Sequence, residues 1–550
     1  MKKKFIRKLV SVALAGITTV GILGGCGNSA ASNSSSETGT VSGTDSTASA
    51  QTQSDTTSDE EVIIRVAFTT AWGDLDPYYT TSGTMYESVV YDKIFDKLAF
   101  TSDAGNTITP RAAKSWESAD DGKAIIFHLD ENATWHDGEK VTADDWVFTL
   151  QLLSDPEVLF STRGPAALIA GTDDSGVETS ENSIGAEAID DYTLKITFKN
   201  EIAPEEFLIR QNRYYLVLPK HILENVAPAD VLTADYWNAP IGSGPAVFES
   251  QVIGSELVFT PNEKYELGNG NWNKLIFSVV DSSNSLQALI SGDIDFIALG
   301  NITSADNKLV AEAGGLTVQK SEVASGFTEI ILNNNNISDP RIRLALHYAL
   351  EKDTLIEIAS KDTGIKAYQS QLPGSVYYDD TLGFERDLEK AKELLAEAGY
   401  DGTTYKLAIG SSRESLAAVL QQEWAEAGIN VEIIVVDVAT MFSGISDGTY
   451  DIGISGHTAT ASPVWFTENS GTASSIDPKY DEYVNKINAT IDVTKKVELV
   501  KEYSKYILDN APYIPICHSY NYNTISPNID GVDYSGAGLC NDNIWNWNKK

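Results

Sequence analysis

Ala133-Thr134-Trp135-His136-Asp137-Gly138-Glu139-Lys140-Val141-Thr142-Ala143-Asp144-Asp145-Trp146-Val147-Phe148 is the stretch from which the rest of the chain can be read. His136-Asp137-Gly138 reads as a turn, with the glycine supplying a positive φ. Thr142 is a fitting N-cap for a helix running through Leu153. Asp144 and Asp145 then place negative charge in the first helical turn, where the helix dipole favours it. They are helix chemistry before they are an acid–base pair. Trp135, like Trp116 upstream, reads as a core aromatic. Residues 123–130 just before the stretch look like a strand, so the local order is strand, turn, helix.

The same texture extends in both directions. Val62–Phe68 is β-branched and apolar, the mark of a buried strand. Residues 84–99 carry Met85, Val89, Ile94 and Leu98 at helical spacing. Tyr192–Phe198 alternates as a strand. Val258-Phe259 and Leu275–Val280 add strands, with a helix at 282–290. Beyond 340, helices are expected at Arg341–Glu357, Leu388–Ala398 (stopped by Gly399), 412–427 and 477–510. Strands are expected at Tyr405–Ile409, Val431–Val436 and Tyr450–Ile454. Such alternation makes an α/β fold with two mixed regions, and no internal repeat is visible.

Composition narrows the function. The 550 residues are 42% hydrophobic and 21% charged, ordinary for a globular chain. Forty Lys and Arg stand against 78 Asp and Glu, a formal charge of −38, which excludes a nucleic-acid binder working through phosphate neutralisation. Three cysteines in this length exclude a disulfide-built scaffold.

Residues 1–25 read as an export signal: Lys2, Lys3, Lys4, Arg7 and Lys8, then an apolar run from Leu9 to Leu23 that is too short for a stable spanning helix. Leu23-Gly24-Gly25-Cys26 resembles a lipobox, which implies that Cys26 becomes the lipid-bearing first residue. Residues 27–61 are mostly Ser, Thr, Ala, Gly, Asp and Glu, without Lys, Arg or an aromatic. That composition cannot bury enough apolar surface to offset ordering entropy, so 26–61 is expected to be a disordered tether.

Further landmarks recur in a set order: Leu75-Asp76-Pro77, Ile108–Glu117, Asp120-Asp121-Gly122-Lys123, the opening stretch, Ile241-Gly242-Ser243-Gly244-Pro245, Pro261–Tyr265, Asp339–Leu346 and Ala396–Tyr400. Together they resemble the solute-binding proteins of ABC transporters, family 5, the peptide/nickel-binding group, from about residue 62 to 548. Ala246 stands where a Tyr is usual in that family. The resemblance implies a bilobal, periplasmic-binding-protein-like clam shell of type II, cluster C, with an extra small domain. It implies a discontinuous base lobe at 62–104, 200–325 and 513–550, the small domain at 105–199 and a second lobe at 326–512. The lobe crossings would lie near Gly326–Asn334 and Pro512–Asn523. The expected partners are a peptide or other small solute, a permease and its ATPase, and the membrane through Cys26. A monomer without cofactor or resident metal is expected.

Candidate ligand contacts follow from the same resemblance. Tyr78, Tyr79, Thr81 and Met85 follow Leu-Asp-Pro, where a cleft rim should be. Arg213 lies near the edge of the first lobe. Gly456, His457, Thr458 and Thr460 occupy the loop after Tyr450-Asp451; His457 takes the place of a Trp, and Thr460 that of an Asp which pairs with a peptide amine. A hydroxyl cannot supply the charge-assisted bond of a carboxylate. His518 and Tyr520 follow the second crossing. Oligopeptide is the leading cargo. A metal chelate, an opine, a modified peptide or an oligosaccharide is the alternative, and a sensor or chaperone on the same scaffold is a further one.

Gly444-Ile445-Ser446-Asp447-Gly448 fits Gly-x-Ser-x-Gly, the basis of a rival reading as a secreted serine hydrolase. That elbow needs a strand before the serine and a helix after it, and the expected order here is reversed. The six histidines form no His-x-x-x-His, and no Cys-x-x-Cys exists. Cys517 and Cys540 are expected to be buried thiols.

Overall fold

The β-branched run at the start of the fold forms the strand Ile63–Phe68, which lies at the centre of a seven-stranded sheet in the computed structural model. The structure describes residues 61–550 except 70, 73–74, 77, 79–84, 103–106, 159, 161–162, 164–165, 180–183, 212–214, 299–303, 361–362, 459–476, 521 and 533–542. Across this first sheet the strands run Thr317–Lys320, Tyr522–Ile525, Phe296–Ile297, Ile63–Phe68, Lys274–Val279, Glu256–Pro261 and Ala246–Val252. Ile63–Phe68 is parallel to both of its neighbours; Ile64, Val66 and Phe68 are fully buried on one face, and on the other Ala67 is buried while Ile63 and Arg65 are half-buried.

A four-stranded antiparallel sheet is made by Ala113–Ala119, Ala124–Leu129, Thr193–Thr197 and Ala186–Asp190. The opening stretch sits beside it. Gly138 has φ +98°, as the turn requires, and the helix Ala143–Ser154 begins with Asp145 Oδ2 accepting from the Thr142 N–H at 2.8 Å. Trp135 and Trp146 are fully buried in the core that also holds Ile64, Val66 and Phe277.

A six-stranded sheet carries the other half: Gly364–Lys366, Tyr513–Ser519, Gly326–Leu332, Ile452–Thr458, Thr404–Ile409 and Asn430–Val435. One face packs Ile330, Leu332, Ile452 and Ile514 with Leu346, Leu395 and Trp424. Phe327 and Tyr513 join a separate cluster with Tyr480, Leu499 and Tyr503. Among the described strands, all those from 326 to 519 belong to this sheet. The chain therefore passes between the two large sheets twice, between Lys320 and Gly326 and between Ser519 and Tyr522. Strand Tyr513–Ser519, which the sequence reading groups with the first lobe, pairs in the six-stranded sheet.

Two helices are shorter than expected. Arg341–Glu357 is two helices, Pro340–Tyr348 and Lys352–Ser360. The break is held from outside: Arg386 Nε donates to the Ala349 carbonyl and the Glu351 N–H to Glu423 Oε2. The stretch 477–510 also divides, into Lys479–Asn488 and Val493–Asn510, with the Asp492 side chain capping the second.

Candidate functional site

Three strands of the six-stranded sheet end together beside the passages between sheets: Gly326–Leu332, Ile452–Thr458 and Tyr513–Ser519. In register, Phe327 stands opposite His457 on one side and His518 on the other. Successive strand side chains point to opposite faces, so Phe327, Glu329, Ser455, His457 and His518 share one face, and Thr328, Gly456 and Cys517 the other. The expected strand Tyr450–Ile454 is Ile452–Thr458. Gly456 and His457 are therefore strand residues rather than loop residues, because pairing with Gly326–Leu332 continues to Thr458.

His457 Nε2 lies 3.0 Å from Glu329 Oε1, a diagonal cross-strand pair. Glu329 is 5% exposed, and its second oxygen, Oε2, has no hydrogen-bond partner among the described residues. The His518 ring packs 5.0 Å from the Phe327 ring, centroid to centroid. His518 is fully buried and bonds the Gln369 carbonyl through Nε2 at 3.1 Å. Burial pushes its pKa down to about 4, with the bond to Gln369 acting upward and Lys352 downward. A carbonyl can only accept, so the neutral ring carries its proton on Nε2 and Nδ1 is a bare acceptor. That atom also lacks a partner among the described residues. On the opposite face, Gly456 leaves room for Arg413, whose Nη2 would lie 2.7 Å from a Cβ there. Cys517 is a free, buried thiol, its pKa raised by burial. At the passages, Lys320 Nζ sits 3.6 Å from the centre of the Tyr520 ring.

The other expected contacts fall differently. Tyr78 is a core residue rather than a rim residue: it is 1% exposed, packs on Phe160, and its hydroxyl both donates to the Leu216 carbonyl and accepts from the Leu216 N–H. Tyr79, Thr81, Arg213 and Thr460 lie outside the described residues, as do Cys26 and Cys540. Met85 begins the helix Met85–Ile94 and Thr458 ends its strand. Ser446 is an exposed residue inside the helix Val438–Asp447, so the elbow that a serine nucleophile needs is missing. Glu329 escaped the sequence reading. Its signal is a lone carboxylate in Phe327-Thr328-Glu329-Ile330-Ile331-Leu332, since acids are rarely fully buried without a task.

His518 makes stability depend on pH. The folded ring resists protonation down to about pH 4, whereas the unfolded ring titrates near the ordinary histidine value of 6.5. Its contribution is complete above pH 6.5 and is lost as pH falls towards 4, a loss of about 3 kcal/mol. Glu266 opposes it over an overlapping window, between about pH 8 and 4.5. Burial, with the Asp96 carboxylate adding, lifts Glu266 to about 8, so the folded chain holds a proton that the unfolded chain releases above the ordinary glutamate value of 4.5. The comparison that isolates His518 is with His518→Gln. Between pH 7 and pH 4, urea unfolding should show wild type losing about 3 kcal/mol relative to the variant; parallel pH profiles would contradict a neutral buried ring.

Comparisons with known proteins agree with this architecture. Residues 107–477 match the family described as bacterial extracellular solute-binding proteins, family 5. The heme-binding protein A of Haemophilus influenzae is 24% identical over 491 residues, covering 84% of this chain and 88% of that protein. Di/tripeptide-binding protein 1 of Pseudomonas aeruginosa is 25% identical over 498 residues, covering 84% and 90%. The crystal structure of the ABC transporter substrate-binding protein CtaP of Listeria monocytogenes superposes with a TM-score of 0.76 at 22% identity, covering 89% of this chain and all of that one.

Proposed function

Because this chain belongs to family 5 of the bacterial extracellular solute-binding proteins, we propose that it captures short peptides between two lobes that close on a hinge, and delivers them to an ABC permease. The observation that carries the reading is that the chain changes sheet only over short stretches, between Lys320 and Gly326 and between Ser519 and Tyr522, and that the two halves have separate hydrophobic clusters. Few dihedrals need to change for such halves to swing, and a ligand that binds the closed arrangement better than the open one shifts the balance towards closure. The wall at the hinge is assigned to the strand ends carrying His457, Thr458 and His518, with Tyr520 beside them. Peptides lead because relatives such as the Pseudomonas protein are named for them; lipid on Cys26 holds the receptor at the outer face of the cell membrane. No helix among the described residues is long and apolar enough to cross a membrane.

Purification from the membrane fraction, followed by mass spectrometry of the carried ligand and small-angle scattering with and without it, tests the whole reading. A mixture of short peptides, a fall in radius of gyration on reloading and loss of membrane retention in Cys26→Ser are expected. A single non-peptide species, or an unchanged scattering curve, would overturn the cargo or the closure respectively.

A further inference from the structure

Resting on the proposed closure of the two halves, we propose that the four-stranded sheet and the helix packed on it form a clasp, which grips the second half when the cleft closes, so that ligand affinity depends in part on residues that never touch ligand. The chain itself joins the halves between Lys320 and Gly326 and between Ser519 and Tyr522. A further contact joins them through space. On the first half it uses the helix Pro204–Gln211, whose Phe207 ring lies 6.1 Å from that of Phe127 and 5.1 Å from that of Phe198, at the four-stranded sheet. Glu206 of this helix pairs with Lys496 on the helix Val493–Asn510, both side chains under 10% exposed. Beside the pair, the turn Asp120-Asp121-Gly122 between the strands Ala113–Ala119 and Ala124–Leu129 meets Ile491: a Cβ on Gly122 would lie 3.5 Å from Ile491 Cδ1. Ile491 sits in the link between Lys479–Asn488 and Val493–Asn510.

The gripping tip is rigid. Asp120, Asp121 and Gly122 have φ of 51°, 54° and 87°, and among the described residues Ala511 is the one other non-glycine residue with a positive φ. A strained turn persists where its surroundings hold it. Here Lys195 Nζ lies 2.7 Å from Asp120 Oδ2, and the Ile202 N–H donates to the Gly122 carbonyl at 2.9 Å. The contact it makes is not core. It encloses a cavity of about 200 Å³ lined by Phe198, Ile202, Glu206 and Asn488, and Asn488 Oδ1 has no hydrogen-bond partner among the described residues. A close-packed interior leaves few such voids, whereas a joint that parts and re-forms tolerates one. The ion pair suits the same role: stripping water from both charges costs nearly what their attraction returns, so it ties the halves only weakly on net. Closure then gains one contribution from the clasp and one from the ligand, and apparent affinity scales with the fraction of protein already closed.

Opposite charges placed at one exposed position test the clasp. Ile491 is 37% exposed, and Gly122, which it touches, is flanked by the exposed Asp121 and Glu201. Ile491→Asp should push the clasp apart, and Ile491→Lys should draw it together. The full chain is stripped of ligand in guanidinium, refolded, and followed by small-angle scattering and by calorimetry with trialanine. Ile491→Asp should raise the ligand-free radius of gyration above that of wild type and weaken trialanine binding at least about fivefold. Ile491→Lys should not raise the radius and should bind trialanine at least as tightly as wild type. Melting curves check that each variant folds; Ile491→Ser, which removes the contact without adding charge, replaces one that does not, and should fall between the two. Variants that match wild type in radius and affinity, or that are both enlarged alike, overturn the clasp, and a wild type that still contracts with trialanine then leaves lobe closure standing. A wild type that binds trialanine without contracting overturns closure, and the clasp with it. If wild type does not bind trialanine, the ligand-free radii of the three proteins decide.

Discussion

Replacing Lys496 by Met is expected to cost about 3–5 kcal/mol of folding stability, while the Glu206→Leu/Lys496→Met double variant stays within about 1 kcal/mol of wild type. Lys496 and Glu206 form an ion pair with both side chains under 10% exposed. Removing one partner leaves a charge in a site that cannot solvate it. Removing both leaves a patch that can be filled with apolar atoms, so the single variant is the damaging one. The pair also spans the two halves. Glu206 lies on the helix Pro204–Gln211, whose Phe207 and Leu208 belong to the core of the seven-stranded sheet. Lys496 lies on Val493–Asn510, whose Leu499 and Val500 pack with Phe327 and Tyr513 of the six-stranded sheet. Near it, Tyr377 has its hydroxyl pushed up to about 12 by burial, with the Glu206 charge adding. A cavity of about 200 Å³ is lined from one side by Phe198, Ile202 and Glu206 and from the other by Asn488. Swinging the halves apart breaks this contact, so under the proposed closure the single variant should also show a larger ligand-free radius of gyration. Chemical denaturation and scattering on the same samples check both; a single variant as stable as wild type would mean that the pair is solvated and carries no such energy.

Much of the fold could be read from local pattern. Strands with a β-branched run, such as Ile63–Phe68, and helices with their own stop signal, such as Leu388–Ala398 before Gly399, lie where the residues imply. What local pattern could not show was decided by distant partners. The break after Tyr348 exists because Arg386 and Glu423 take the backbone groups of Ala349 and Glu351. The extension of a strand through His457 exists because Gly326–Leu332 runs beside it. Tyr78 illustrates the same limit for function. Its place after Leu-Asp-Pro suggested a rim, but burial against Phe160 and Leu216 is a tertiary fact. Glu329 was legible as an oddity in an apolar run, yet its partner His457 is 128 residues away, and only the strand register brings them together.

Gly242→Ala should cost about 3 kcal/mol or more, against roughly 1 kcal/mol for Gly138→Ala, although both glycines belong to landmark motifs. The reasons differ. Gly138 has a positive φ, and the nearest atom to an added Cβ is the flexible Lys264 Nζ at 3.8 Å, so alanine there meets conformational strain alone. Gly242 has no positive φ; its Cβ would lie 1.7 Å from the Ile94 carbonyl oxygen and 2.5 Å from the carbonyl carbon. Backbone must therefore move, and that backbone is the end of the helix Met85–Ile94. The turn cannot move freely because His136 clamps it: its Nδ1 accepts from the Gly242 N–H at 3.2 Å, and its Nε2 donates to the Gly244 carbonyl at 3.0 Å. The Gly244 N–H in turn donates to the Ile94 carbonyl at 2.8 Å. The histidine of the opening stretch thus holds the glycine turn against the first helix, which ties two distant motifs into one structural unit. Burial lowers His136 to about 4, keeping the ring neutral and able to accept at Nδ1 and donate at Nε2 together. Urea unfolding of the two alanine variants side by side checks the ordering; equal losses, or a larger one at 138, would show that the turn at 242 yields and that close approach is not what requires glycine there.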